Sequence, residues 1–201
     1  MSKLILGILL LSTSLLADIK KDISLCTEKK GELTRLDCFD SVAIKYKLAK
    51  ETKKQIIKGT GKWNVINQTN PLNDTNSVIL TLVADSGLSK WNKSISLIAR
   101  CKNNKTELYI NWGSYLGRKA RITTRIGKNK ATTKNWDIST DSKASFYRGK
   151  TITLLRTMAK NEKAIFQVTP YNESPITAIF DIKGLNNALI PLAKECNWKI
   201  N

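Results

Sequence analysis

The sequence predicts an α+β fold, in which an N-terminal helical hairpin stapled by a disulfide precedes an antiparallel β-sheet or sandwich carrying one or two packed helices. Three observations predict it. Apolar residues between Leu33 and Tyr46 recur at spacings of three and four, whereas those after Trp63 mostly alternate. The cysteines divide the same way, with Cys26 and Cys38 in the first segment and Cys101 and Cys196 in the second. The 201 residues suit one domain with a small appendage, and 41% hydrophobic residues are enough for a core, which excludes global disorder.

Residues 1–17 read as a secretory signal: Lys3 is the charged n-region, Leu4 to Leu11 the apolar run, and Ala17 the small residue before the cut. The run is interrupted by Ser12, Thr13 and Ser14 and falls short of the ~20 apolar residues that span a bilayer. No Cys follows Ala17 directly, so there is no lipoprotein cut site. Residues 18–58 form the predicted helical hairpin, with Leu33, Leu36, Phe39, Ala43 and Tyr46 in one stripe and Gly31 marking the turn. Gly59-Thr60-Gly61 closes a polar linker, and residues 59–201 form the β-rich domain.

Within that domain Asn64–Ile66 is a short strand and Val78–Ala84 a hydrophobic one. Ser94–Cys101 and Thr106–Trp112 alternate about a Lys102–Lys105 turn, which makes a hairpin. Arg121–Ile126 is a third alternating strand, and Ala164–Thr169 with Ile176–Ile182 is a second hairpin. Lys150–Lys160 has helical spacing, and Leu185–Glu195 is a final helix starting after Gly184.

Four cysteines behind an export signal favour two disulfides. Three pairings are open. The one read here joins Cys26 to Cys38 within the hairpin and Cys101 to Cys196 between a central strand and the C-terminus. Zinc is the rival for four cysteines, but it needs close Cys-x2-Cys pairs and none is present, so no metal is expected.

With 34 Lys+Arg against 16 Asp+Glu, the chain carries +18, and loss of the signal removes one Lys only. Such a charge attracts polyanions. For an exported protein these are lipopolysaccharide or lipid headgroups, acidic glycans or an acidic protein rather than nucleic acid. Against that, 27 of the basic residues are Lys, 26 of them scattered from Lys20 to Lys199, which reads first as a solvated surface. Arginine is less easily assigned to composition. Strand parity puts Ile95, Leu97, Ala99, Cys101, Leu108, Ile110, Trp112, Ile122, Thr124 and Ile126 on core faces. The opposite faces then carry Arg100, Tyr109, Asn111, Arg121, Thr123 and Arg125, three of the seven Arg. Arg presents a planar fork suited to carboxylate or phosphate. This face is the candidate binding surface. The plain alternative is a solvent face whose Arg pair with Glu107, Asp137 or Asp141, with Trp112 and Trp136 in the core.

Catalytic signals are weak. The absence of His excludes Ser-His-Asp and Cys-His chemistry. Ser114, Ser139 and Ser145 have Lys neighbours without a persuasive Ser-x-x-Lys, and Asp74 with Asp85 or Asp137 with Asp141 are the available carboxylate pairs for glycan hydrolysis. Gly59-Thr60-Gly61-Lys62 lacks phosphate-loop spacing. No catalytic residue and no cofactor is expected.

An ordered set of motifs spans the mature chain: Cys26, then Arg35-Leu36-Asp37-Cys38-Phe39-Asp40, Trp63, Pro71 to Val78, Arg100-Cys101, Thr106 to Ile110, Arg125, Trp136, Phe180, Gly184-Leu185 and Cys196-Asn197-Trp198. In this set the chain resembles the type VI secretion system-associated VasI/TagO family. The resemblance implies an exported accessory protein of a contractile secretion machine in a Gram-negative envelope, and it supplies no catalytic residues. The chain departs from the family in its heavy Lys content. The expectation is a periplasmic, non-enzymatic accessory protein that binds an envelope or secretion-apparatus protein. The alternative is a basic binder of anionic envelope polymer, lipopolysaccharide or peptidoglycan.

Overall fold

The computed structural model describes residues 18–29, 32–48 and 59–200. The signal predicted at 1–17 and most of the linker before Gly59 lie outside the described residues. The chain divides into two compact units, one ending at Thr52 and the other starting at Lys53.

The first unit is a helical pair, α1 (18–27) and α2 (Glu32–Lys45). Two links hold it. Cys26 and Cys38 form a disulfide. Asp22 on α1 accepts hydrogen bonds from Lys45 Nζ at 2.6 Å and Tyr46 Oη at 2.8 Å. The Lys45 bond, then the Tyr46 bond, hold the Asp22 carboxyl below its ordinary range. The predicted stripe is only partly covered: Phe39, Ala43 and Tyr46 are half-buried, but Leu36 is 57% exposed. A helix pair this small has too little partner surface to bury a full apolar face.

The second unit contains nine strands: β1 (Asn64–Thr69), β2 (Asn76–Leu88), β3 (Ser94–Lys102), β4 (Lys105–Asn111), β5 (Ala120–Ile126), β6 (Thr132–Ile138), β7 (Ala144–Phe146), β8 (Lys163–Val168) and β9 (Ile176–Asp181). Helix α3 (Thr151–Ala159) joins β7 to β8, and α4 (Leu185–Glu195) follows β9. The strands run in the order β1-β2-β3-β4-β7-β6-β5-β8-β9, and β2 also pairs with β9. All pairings are antiparallel.

The predicted sandwich is therefore corrected to a closed barrel of eight strands with β1 added outside the ring. The cause is a bulge. The β2–β3 register shifts between Val83 and Leu88, and Ser86 within that interval pairs with Ile179 of β9. A bulge re-aims a strand, and here it lets one long strand serve both ends of the sheet. Asp85 secures the seam: it accepts the Asp181 backbone N–H at 2.8 Å and pairs with Lys62 at 2.6 Å.

The predicted core faces are the barrel interior. Ile95, Leu97, Ala99, Cys101, Leu108, Ile110, Trp112 and Ile122 are essentially inaccessible, and Trp136 joins the same core. Trp112 satisfies its indole N–H on Ser145 Oγ at 2.9 Å, as a buried indole requires. The β3–β4 turn has Asn103 and Asn104 at φ 50° and 56°, the conformation that a two-residue hairpin of this type demands. At that end of the barrel α4 contributes Leu185, Ala188, Leu189 and Leu192 to the core. The Cys101–Cys196 disulfide fastens the helix to β3. Gly184 opens α4 at φ 80°, where an added Cβ would lie 2.3 Å from the Thr60 carbonyl carbon. Only glycine fits there.

Candidate functional site

The six residues of the predicted binding face all lie on the outer wall, but the barrel does not gather them. Arg100 is on β3, Tyr109 and Asn111 on β4, and Arg121, Thr123 and Arg125 on β5. Strands β7 and β6 run between β4 and β5. The face thus resolves into two patches with different chemistry.

The first patch is satisfied internally. Arg100 lies opposite Glu107 across the β3–β4 ladder, and its Nε donates to Glu107 Oε2 at 2.7 Å. Lys105 Nζ reaches the other oxygen of the same carboxylate at 2.9 Å. Tyr109 stacks on Phe146 of β7 with ring centroids 4.5 Å apart, and the Arg100 guanidinium sits 5.3 Å from the Tyr109 ring and 5.7 Å from the Phe146 ring. Burial tends to raise the Glu107 carboxyl, but the bonds from Lys105 and Arg100 outweigh it and hold the group below its ordinary value. Burial likewise pushes the Tyr109 hydroxyl up. Asn111 is spent locally, its Oδ1 accepting the Gly113 N–H at 3.1 Å.

The second patch has free cations. Arg121 and Thr123 of β5 face Asn135 and Thr133 of β6 in direct register, and the two Thr hydroxyls share a 2.8 Å hydrogen bond. Together with Lys119, Lys134 and Thr169 they line an open cleft of about 720 Å³. No lining residue is acidic, and among the described residues Lys119, Arg121 and Lys134 form no ion pair. Arg125 is exposed further along β5, outside the cleft. Guanidinium, two ammonium groups, hydroxyls and an amide on a rigid ladder can bind carboxylate or phosphate oxygens at several points.

Thr133, Lys134 and Asn135 were not legible as site residues because the sequence does not mark β6 as a strand, and Lys119 and Thr169 flank β5 and β8 just outside the strands. Its sequence is Thr-Thr-Lys-Asn-Trp-Asp-Ile, of which only Trp136 is buried. The usable signal was the pair of β-branched residues, Thr132 and Thr133, four and three positions before an inward Trp, after the Gly127–Lys130 turn.

The residues weighed for catalysis are placed in structural roles. Ser145 is buried against Trp112. Ser114 is buried and donates to Glu173 at 3.3 Å. Ser139 caps the β6–β7 turn with Asp141, whose carboxyl the Ser139 and Lys143 bonds lower. Asp74 sits in the β1–β2 turn, before the start of β2, whereas Asp85 lies in the last part of that strand and bonds Lys62.

Comparison with known proteins supplies a context. The type VI secretion system VasI, EvfG family matches residues 25–198, and the chain belongs to that family. No curated protein matches the sequence. Among solved structures, invasion associated protein B from Bartonella henselae is similar, with a TM-score of 0.50 over 68% of this chain and 94% of that one, at 10% identity. At that identity the likeness is one of fold.

Proposed function

We propose that this VasI-family chain is an exported, periplasmic accessory protein of a type VI-type secretion apparatus, and that it works by binding rather than by turnover. Its partner is an envelope or secretion-apparatus protein with an acidic segment, held by Arg121, Lys119 and Lys134. The observation that carries the reading is the contrast between the two Arg patches: in a chain of this family, one is neutralised by its own carboxylate while the other holds free cations over a cleft. The two disulfides suit an oxidising compartment. A second reading, in which the same cleft takes an anionic envelope polymer such as lipopolysaccharide or peptidoglycan, is favoured by the absence of any acid among the lining residues.

Crosslinking and pull-down from the native envelope at low and high salt separates the two. A defined secretion-apparatus component, retained at high salt and lost with the double substitution Arg121→Ala, Lys134→Ala, supports the protein partner. Recovery of glycan or lipid alone, lost at high salt, overturns it in favour of the polymer.

A further inference from the structure

Four connections meet at the barrel end opposite the β3–β4 turn: β2–β3, β4–β5, β8–β9 and, bonded to β4–β5 through the Leu116 N–H to the Ser142 carbonyl, β6–β7. They are tied to one another. The Lys90 N–H donates to Ser114 Oγ at 3.4 Å, Ser114 Oγ to Glu173 at 3.3 Å, and the Tyr171 N–H to the Tyr115 carbonyl at 2.9 Å. The Tyr115 and Tyr171 rings meet edge to face, 6.0 Å apart. Gly117, at φ 74°, packs beside the Tyr171 side chain.

This built end is where the second unit leaves its apolar surface uncovered. Among its described residues seven large hydrophobic side chains are exposed, and four of them, Leu88, Trp91, Tyr115 and Tyr171, are here. Trp91, 71% exposed, is at the apex of the turn closed by the Ser89 N–H to Lys93 carbonyl bond. The charge around these residues is mainly basic. Among the described residues Lys90, Lys93, Arg118 and Lys119 are exposed, whereas Glu173 is half-buried and bonded to Ser114, and Asp141 of the adjoining β6–β7 turn is exposed but bonded to Ser139 and the Lys143 N–H.

We infer that this end of the barrel docks on an anionic phospholipid surface. Trp and Tyr favour the headgroup boundary, where a flat apolar ring and a polar edge are both satisfied. Lys and Arg beside them meet lipid phosphates. An aliphatic Leu88 next to a projecting Trp91 suits insertion between acyl chains, whereas stacking on sugar rings makes no use of Leu88. The inference rests on the exported location proposed above but, Lys119 aside, on residues other than those of the β5–β6 cleft.

Flotation of the full chain with phosphatidylcholine vesicles, with and without 30% phosphatidylglycerol, tests it. Binding is expected on the anionic vesicles only, with a blue shift of Trp emission. Trp91→Ala should reduce it about tenfold, the scale of one buried aromatic side chain, and Lys90→Ala with Lys93→Ala should reduce it further at low salt. Trp91 is exposed, so circular dichroism and the thermal midpoint should not move. Arg121→Ala with Lys134→Ala should leave vesicle binding in place, which keeps this test separate from that of the cleft. No vesicle binding, binding that Trp91→Ala leaves unchanged, or a Trp91-dependent emission shift with soluble glycan strands and not with vesicles would each overturn the inference.

Discussion

Arg100 and Arg121 are the same side chain on the outer wall of the same barrel, but they stand in opposite electrostatic states. Arg100 has a carboxylate 2.7 Å away, a stacked aromatic pair beneath it and a side chain only 30% exposed. Arg121 is exposed beside Lys119 and Lys134, with no ion pair among the described residues. The difference lies in what each strand's neighbour supplies. The β3–β4 register sets Arg100 against Glu107, while the β5–β6 register sets Arg121 against Asn135. An Arg whose charge is already satisfied contributes to the fold, whereas one left unsatisfied on a rigid ladder is available to a ligand.

The scaffold common to both patches gives the largest effect. Replacing Cys101 and Cys196 by Ser opens a link between residues 95 apart in sequence. The chain-entropy relation puts the loss near 4.7 kcal/mol for a loop of about that length. Urea unfolding should show it, and both patches should be lost in one transition. If Arg100–Glu107 survived as a separate transition, the two would not share a scaffold.

Glu107→Gln inverts the comparison. It leaves Arg100 and Lys105 without their common carboxylate, and the expected loss is roughly 1–2 kcal/mol for a partly buried charged hydrogen bond. It should also add affinity for a polyanion such as heparin, because the first patch then resembles the second. A variant that loses stability without gaining retention on a heparin column would show that free cations alone do not make a binding face.

Acid should separate the patches as well. The Glu107 carboxyl sits below its ordinary 4.5 in the fold, so its contribution is complete above that pH and is lost as pH falls through the lower folded value. Glu107→Gln should therefore flatten the acid limb of the stability curve, whereas Arg121→Ala should not. The smallest stability change belongs to the cleft: Arg121→Ala with Lys134→Ala should move the urea midpoint by no more than about 0.5 kcal/mol, as for exposed side chains, while weakening the acidic partner about tenfold. A large stability loss would make these residues part of the fold instead.

Much of this was legible in the sequence, and the rest was not for physical reasons. Strand faces around Leu97 and Ile110 could be assigned because one side of each strand is buried, and period-two alternation records that directly. Both disulfides follow the expected pairing. Barrel closure was not legible, because the Ser86–Ile179 contact is a register between strands far apart in the chain and leaves no local pattern. The β6 strand buries only Trp136, and β7 has three residues, too few to show a period. The arginines of the candidate site were found by parity, but the division between Arg100 and Arg121 depends on which strands lie between them. Asn135 could not be placed opposite Arg121, nor Lys134 beside it, until β6 was seen to be a strand.

The most direct test places a photo-crosslinking amino acid at Thr123, inside the cleft, or at Tyr109, inside the neutralised patch, in the native envelope. The account predicts a discrete adduct to one secretion-apparatus protein from position 123, abolished by Arg121→Ala with Lys134→Ala, and none from position 109. Equal adducts from both positions, or an adduct from position 109 alone, would contradict it.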